Sequence, residues 1–466
     1  MNKIILKKIG YVTFSNFIAI FVSGGLVLIV PRIVSVEDYG AWQLYLFYAS
    51  YIGLLHLGWE DGIYLRYAGI KYSALDRRLF AGQIYTLMAL QTLMAIVIAI
   101  AAVCFADTLM KRKVLAFFSI AIVFTNFNNL CNFILQITSR IAEYSLRVIV
   151  ERILFVVCIT ICFVIGWRDY TTLLCAQLIA LFCLSIMAIR SIQDLLYPDF
   201  PTIREIATEA KENLSAGSKL MLANIASLLI VGIIRYGISE SWSISTFGQV
   251  SLTLSISNFF LVAVNAGSVV FFPLLKQLGK DRLVPVYSNI RELLSGVSLV
   301  LLILYYPLHC ILAWWLPQYA ESLVYMVILF PVCVFESRVS LLTNTYLKTL
   351  RREKSMLKIN MAAVVLSICL TMIGCYVIHN LDFMVMSIVL CFAFRCILAE
   401  IYLGEVLKKN FVLLNIVESC LIGVFILSGW MLPDVLGGLV FSGALGCFWF
   451  YRKNELIQAY QWIKVR

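Results

Sequence analysis

Residues 10–30 read GYVTFSNFIAIFVSGGLVLIV, followed by PRIVSVEDYGAW at 31–42, QLYLFYASYIGLLHL at 43–57 and GWEDGIYLRYA at 58–68. The first run is long enough to cross a hydrocarbon layer of about 30 Å as a helix. The turn after it holds Arg32, Glu37, Asp38 and the Tyr39-Gly40 pair, and the second apolar run closes on Glu60, Asp61 and Arg66. The stretch predicts two membrane-length helices joined by a short polar turn.

The same alternation continues along all 466 residues, which are 62% hydrophobic and 14% charged. In lipid every backbone polar group must be paired within the structure, which leaves helices or closed barrels, and these runs are too continuously apolar for barrel strands. The sequence predicts an all-α polytopic membrane protein of about fourteen spans: 10–31, 41–59, 80–105, 114–138, 148–166, 171–190, 214–236, 244–272, 292–313, 322–346, 359–378, 383–407, 411–430 and 435–451. The basic start MNKIILKKIG precedes a membrane-length run with no Ala-x-Ala site after it, so a retained first helix is expected. The net charge of +11 is scattered over short loops and forms no basic domain, so no nucleic-acid partner is expected. The 14 cysteines lie mostly within apolar runs, without CxxC pairs, as buried reduced thiols do; no metal site is expected.

Lysine and arginine fall about 29 on the N-terminal side of the predicted membrane against 6 (Arg32, Lys111, Arg112, Lys113, Arg168, Arg235) on the other, with Arg338 and Arg395 inside spans. That asymmetry places both termini in the cytoplasm. A shift of 208 residues sets Lys3 on Lys211, Asn16 on Asn224, Gly24 on Gly232 and Gly40 on Gly248. A shift of 210 sets Glu143 on Glu353 and Ser145 on Ser355. Six spans separate the matched elements, so the halves share orientation: two six-helix bundles in parallel pseudo-repeat, with a substrate site expected between bundles. The expected division is 1–190 for the first bundle, 191–213 for a cytoplasmic linker carrying a short amphipathic helix, 214–407 for the second bundle, and 408–466 for two extra helices and a tail.

The turn into Tyr39-Gly40, the Gly-Trp-Glu-Asp-Gly…Arg66 end of span two and the Ser139-Arg140…Glu143-Tyr144 loop resemble the O-antigen and polysaccharide-unit flippases. These form the polysaccharide transporter branch of the multidrug/oligosaccharidyl-lipid/polysaccharide exporter superfamily. The resemblance implies two six-helix bundles facing a cavity in the bacterial inner membrane. It further implies outward translocation of undecaprenyl-pyrophosphate-linked oligosaccharide by alternating access, alongside a polymerase and glycosyltransferases of the same pathway. No cofactor is implied, and coupling to a proton gradient, a sodium gradient or the membrane potential stays open. The alternatives are a cation-coupled exporter of small amphiphiles from the same superfamily and a membrane-embedded polymerase or glycosyltransferase. Short outward loops and the lack of a nucleophile–base pair speak against an enzyme, and no catalytic residue is expected.

A lipid-linked oligosaccharide needs cations for its phosphates and a polar wall for its sugars. Arg338, Arg395, Arg235, Lys219 and Arg32 are the phosphate candidates, guanidinium offering paired N–H donors. Thr125, Asn128, Asn129, Asn132 and Gln136 recur on one face of span four. With Asn16, Asn224, Ser251, Ser255 and Asn258 they form the candidate glycan wall. Amides are costly in lipid unless paired, so these faces must look inward, as a cavity wall or as hydrogen bonds between packed helices. Arg32 and Arg235 also fit snorkelling to the outer surface. Arg338 and Arg395 fit ion pairing equally well; Glu336 lies nearly opposite Arg338 on the helix and should not bridge to it, and Glu400 and Glu418 are other candidate partners. Glu60, Asp61 and Arg66, with Arg140 and Glu143, form a candidate cytoplasmic gate.

Overall fold

A computed structural model describes residue 18 and residues 21–196, 201–277, 280–350 and 352–464. Asn16 lies outside them. The described residues form helices and no strand. In chain order these are α1 (Phe21–Ile33), α2 (Val36–Ala49), α3 (Trp59–Tyr67), α4 (Arg77–Phe105), α5 (Leu109–Ile137), α6 (Ile141–Ile165), α7 (Tyr170–Ser191) and α8 (Ile203–Ser241). They continue as α9 (Ile244–Gln277), α10 (Leu283–Trp315), α11 (Tyr325–Thr349), α12 (Lys354–Ile378), α13 (Leu381–Leu407), α14 (Val412–Met431), α15 (Asp434–Tyr451) and α16 (Lys453–Lys464). Eleven of them, α4 to α8 and α10 to α15, are long and apolar enough to cross a membrane, and they overlap the expected spans three to seven and nine to fourteen. This is a multi-pass membrane protein.

The polar turns between helices act as caps. Ser35 accepts from the Asp38 N–H at 3.0 Å, Asp76 from Leu79 at 3.1 Å, Thr108 from Lys111 at 3.2 Å and Asn380 from Phe383 at 2.9 Å. Each satisfies a donor that a helix start leaves open, at a site where side-chain oxygens stabilise by about 1 kcal/mol.

Two expectations change. The second span, read as one helix over 41–59, is broken: α2 stops at Ala49, a single tight turn occupies Ile52–Leu54, and α3 starts only after Leu57 and Gly58, both in the left-handed region (φ 55° and 87°). The apolar run is long enough for a helix, but Gly58 supplies the left-handed turn that ends it. The shift of 208 sets this break on 258–266, where α9 runs on as helix, so the two halves differ here. The amphipathic stretch expected inside the 191–213 linker is the first part of α8, continuous with the seventh span.

The chain divides into two compact units, the boundary falling between Ile225 and Ala226 inside α8. In the first unit, Trp59 and Ile63 of α3 pack into a core with Phe80, Ile84, Leu130 and Ile134. The other side of α3 meets α8 backbone to backbone. A Cβ on Gly58 would lie 2.7 Å from the Ser218 nitrogen, one on Gly62 would overlap the Asn213 carbonyl, and one on Gly217 would overlap the Gly58 carbonyl. Small residues four apart are how helices approach this closely in lipid. In the second unit Leu283, Tyr287, Leu342, Tyr346 and Leu403 form the core. There α11 widens into a π-type turn over Arg338–Thr343, a distortion often found where a helix serves a function.

Gly62→Ala and Gly217→Ala each force backbone apart at the α3–α8 seam. The expected loss is about 1–3 kcal/mol, the usual range for overpacking, read as a melting temperature several degrees lower in detergent. Gly25→Ala, with open space around its Cβ, leaves the melt unchanged.

Candidate functional site

A cluster of buried charged side chains lies in the second unit, where α10, α11, α13 and α14 meet. The Arg291 guanidinium donates to Glu400 Oε2 through Nε (3.1 Å) and Nη2 (2.8 Å), to Glu418 Oε1 (3.2 Å) and to Asn415 Oδ1 (2.7 Å). Arg338 ion-pairs with Glu418, lies 3.7 Å from Glu400 Oε1 and donates to Asn415 at 3.2 Å; Ser295 donates to Glu418. All four charged side chains are buried. Two arginines and two glutamates cancel, so the cluster carries no net charge to offer an anion. Nε and Nη2 of Arg338 are left without a hydrogen-bond partner. Nearby, Arg395 donates to Asn360 Oδ1 and to Glu336 Oε2, both at 2.9 Å. Arg338 and Arg395, expected as phosphate contacts, therefore already face carboxylates. Arg338 meets Glu400 and Glu418, and Glu336 serves Arg395.

In the first unit the amide stripe of α5 is bound to an arginine. Arg147 of α6, 1% exposed, donates to Asn132 Oδ1 (2.9 Å), Asn128 Oδ1 (2.8 Å) and the Leu184 carbonyl (3.2 Å). Asn128 in turn donates to Ser185 at 2.9 Å. Thr125, Asn129 and Gln136 remain half-buried on the same face.

A second network supports the break after α2. Gln91 of α4 donates to the Leu55 carbonyl at 3.0 Å and accepts from Asn126 of α5 at 2.5 Å. A carbonyl freed from a helix inside an apolar run needs such a donor. His56 Nδ1 accepts from the Gly58 N–H at 3.1 Å, and its Nε2 lies 3.9 Å from Asp61 Oδ2. Glu60 is fully buried, and neither carboxylate oxygen has a hydrogen-bond partner. The start of α3 favours a negative charge by about 0.3–1 kcal/mol, whereas an unpaired buried ion costs several kcal/mol. The burial cost is the larger of the two.

The expected gate residues are in different partnerships. Arg66 donates to Glu209 (2.7 Å) and Asn213 (2.6 Å) and pairs with Glu212, while Asn213 donates to Gln83 at 2.6 Å. Arg140 pairs with Glu143 three residues on (Nε to Oε1, 2.6 Å), donates to the Ser191 carbonyl at 2.8 Å and stacks over Tyr72. The structure does not bring Arg140 to Glu60 or Asp61. Arg235 donates to Ser251 at 3.0 Å over the Phe247 ring, and Ser255 bonds back to the Ser251 carbonyl at 2.8 Å. Lys219, Asn224 and Asn258 are exposed. Arg32 and Arg168 line one cleft of about 640 Å³ between α1 and α6, whose walls are otherwise almost wholly apolar.

Gln83, Gln91, Asn126, Arg147, Asn213 and Arg291 escaped the sequence reading. The hydropathy boundaries at 148 and 292 leave Arg147 and Arg291 one residue outside their spans, where they pass for loop charges. Both are buried within α6 and α10. The signal was present: each extends a helical face that carries other polar residues.

No protein-family model matches the chain, and no curated protein matches it in sequence. Solved structures do match. The lipid II flippase MurJ in an inward closed conformation is similar over 95% of this chain and 99% of its own, at a TM-score of 0.67 and 12% identity. An inward-facing multidrug resistance MATE family transporter of the MOP superfamily covers 84% and 94% at 0.62 and 14%. A MATE in complex with MaD5 covers 87% and 97% at 0.54 and 15%. The fold is thus the one these membrane transporters share.

Glu418→Ala leaves Arg291 and Arg338 facing a single carboxylate. Breaking a buried pair from one side costs about 3–5 kcal/mol, so folded yield and melting temperature fall sharply. Removing Arg338 and Glu418 together, as Met and Leu, costs clearly less than the single change; equal losses would show that the pair is not coupled.

Proposed function

We propose that this protein is a flippase that carries a polyprenyl-pyrophosphate-linked oligosaccharide across the bacterial inner membrane by alternating access, for assembly of O-antigen or a related surface polysaccharide. The observation that carries the reading is the likeness to MurJ, described as a lipid II flippase, over nearly the full length of both chains. The polar faces at membrane depth support it, since a hydroxyl-rich cargo needs amides that a purely apolar amphiphile does not. In this reading the phosphate contacts are Arg32, Lys219 and Arg235, because Arg338 and Arg395 have carboxylates beside them. Thr125, Asn129, Gln136, Asn224 and Asn258 face the sugars, and Asn128 and Asn132 hold Arg147 in place behind that wall. The polymerase and glycosyltransferases of the pathway are the proposed partners. The likeness to a multidrug resistance transporter favours a second reading, export of cationic amphiphiles.

Deleting the gene and extracting polyprenyl-linked intermediates separates the two. The expected result is loss of surface glycan with accumulation of complete, unpolymerised lipid-linked units on the cytoplasmic side. Normal surface glycan with new sensitivity to cationic compounds sinks the flippase reading in favour of the exporter. In the complemented strain, Arg32→Ala, Lys219→Ala and Arg235→Ala each lower surface glycan at unchanged protein level. A hydrogen bond to a charged group is worth about 1.5–3 kcal/mol, so each weakens substrate binding roughly 10- to 100-fold.

A further inference from the structure

The break between α2 and α3, with the first turn of α3, gathers three titratable side chains in six residues, and they differ in access. Asp61 is partly exposed (14% of its side chain), His56 less so (7%), and Glu60 not at all. His56 Nδ1 accepts from the Gly58 N–H, so on a neutral ring the hydrogen sits on Nε2, the nitrogen that faces Asp61. Glu60 has no donor on either oxygen, and a carboxylate in that setting takes up a proton rather than stay charged.

We infer that Glu60 is a proton-binding carboxyl, loaded from the aqueous phase by way of Asp61, with His56 positioning Asp61. Within the flippase or exporter reading above, it is the site through which a proton gradient acts. A proton taken from water by Asp61 passes to Glu60, and Asp61 returns to a carboxylate; His56 keeps its Nε2 hydrogen, which faces Asp61 at 3.9 Å and holds that carboxylate in place. Only O–H bonds change.

The groups packed around the break leave this proton uncontested. α2 carries the tyrosines Tyr45 and Tyr48, and Tyr51 follows it in the break. α4 presents the neutral amides Gln83 and Gln91, and α5 the amide Asn126 and the buried thiol of Cys131. On α8, Glu209 and Glu212 are taken up by Arg66, while Lys211 and Lys219 are exposed. At the start of α6, Arg140 is paired with Glu143, and Tyr144 is half-buried. Gly58, Gly62 and Gly217 bring α8 backbone against the break. Glu60 therefore gains a cation or a donor only if this seam opens, and opening the seam is what would release its proton.

The test is infrared difference spectroscopy on the full chain in lipid nanodiscs during pH steps from mildly acidic to alkaline. The expected result is a protonated-carboxyl C=O band at neutral pH that shifts in D2O and disappears in Glu60→Gln. Asp61→Asn keeps the band but changes the rate at which it responds to a pH step. Sodium added at fixed pH leaves it unchanged. The absence of such a band in the wild type, its survival undiminished in Glu60→Gln, or its removal by sodium overturns the inference. Should Glu60→Gln fail to fold, Glu60→Asp replaces it, and an unmoved band frequency then counts against the site. The spectrum does not depend on cargo. A strain whose surface glycan is unaffected by the deletion, with the band present, refutes the flippase reading while leaving the proton site standing.

Discussion

Where α10, α11, α13 and α14 meet, Arg291, Arg338, Glu400 and Glu418 are sealed from water, and each is held because the others are there. The constraint is general to this molecule. A hydrocarbon medium supplies no hydrogen bonds, so a polar group at membrane depth must be paired by the protein or be neutral. Arg147 meets it with the amides of Asn128 and Asn132, Arg395 with Glu336 and Asn360, and the freed carbonyl of Leu55 with Gln91. These pairings join helices distant in sequence and fix which faces turn inward.

The cluster also explains the place of the last helix pair. Glu418 and Asn415 belong to α14, outside the two six-helix bundles expected from the sequence, yet they complete the charge balance of α10 and α11. At the other end of the same helices, Tyr306 bonds Ser428 at 3.0 Å and His309 lies 2.9 Å from Asp434, while Gly429 and Gly437 leave room for the Tyr305 and Tyr306 rings. The pair is keyed into the second unit at both ends.

The site was legible in parts. Hydropathy placed the apolar helices closely, because a lipid-spanning segment has to be apolar over its whole length whatever its neighbours. The α5 stripe was visible as a helical face of amides. Its use was not: the reading set sugars against helix packing, and the structure finds an arginine from α6 there. The residues expected as a gate take separate partners: Arg66 turns to α8, and Arg140 to Glu143 and the Ser191 carbonyl. Which partner a long side chain takes depends on helices brought together from 140 residues away.

The sequence by itself determined that the chain is helical and membrane-embedded, and that buried arginines must have partners. These follow from composition and local spacing, and the lipid enforces them residue by residue. Only the tertiary structure decided that span two is broken, that Arg147 and Arg291 are interior rather than loop charges, and that Glu60 is sealed without a donor. A break is tolerated only where Gln91 and Asn126 reach it, and a charge is interior only where other helices cover it. Both depend on packing across the fold, which no window along the chain contains.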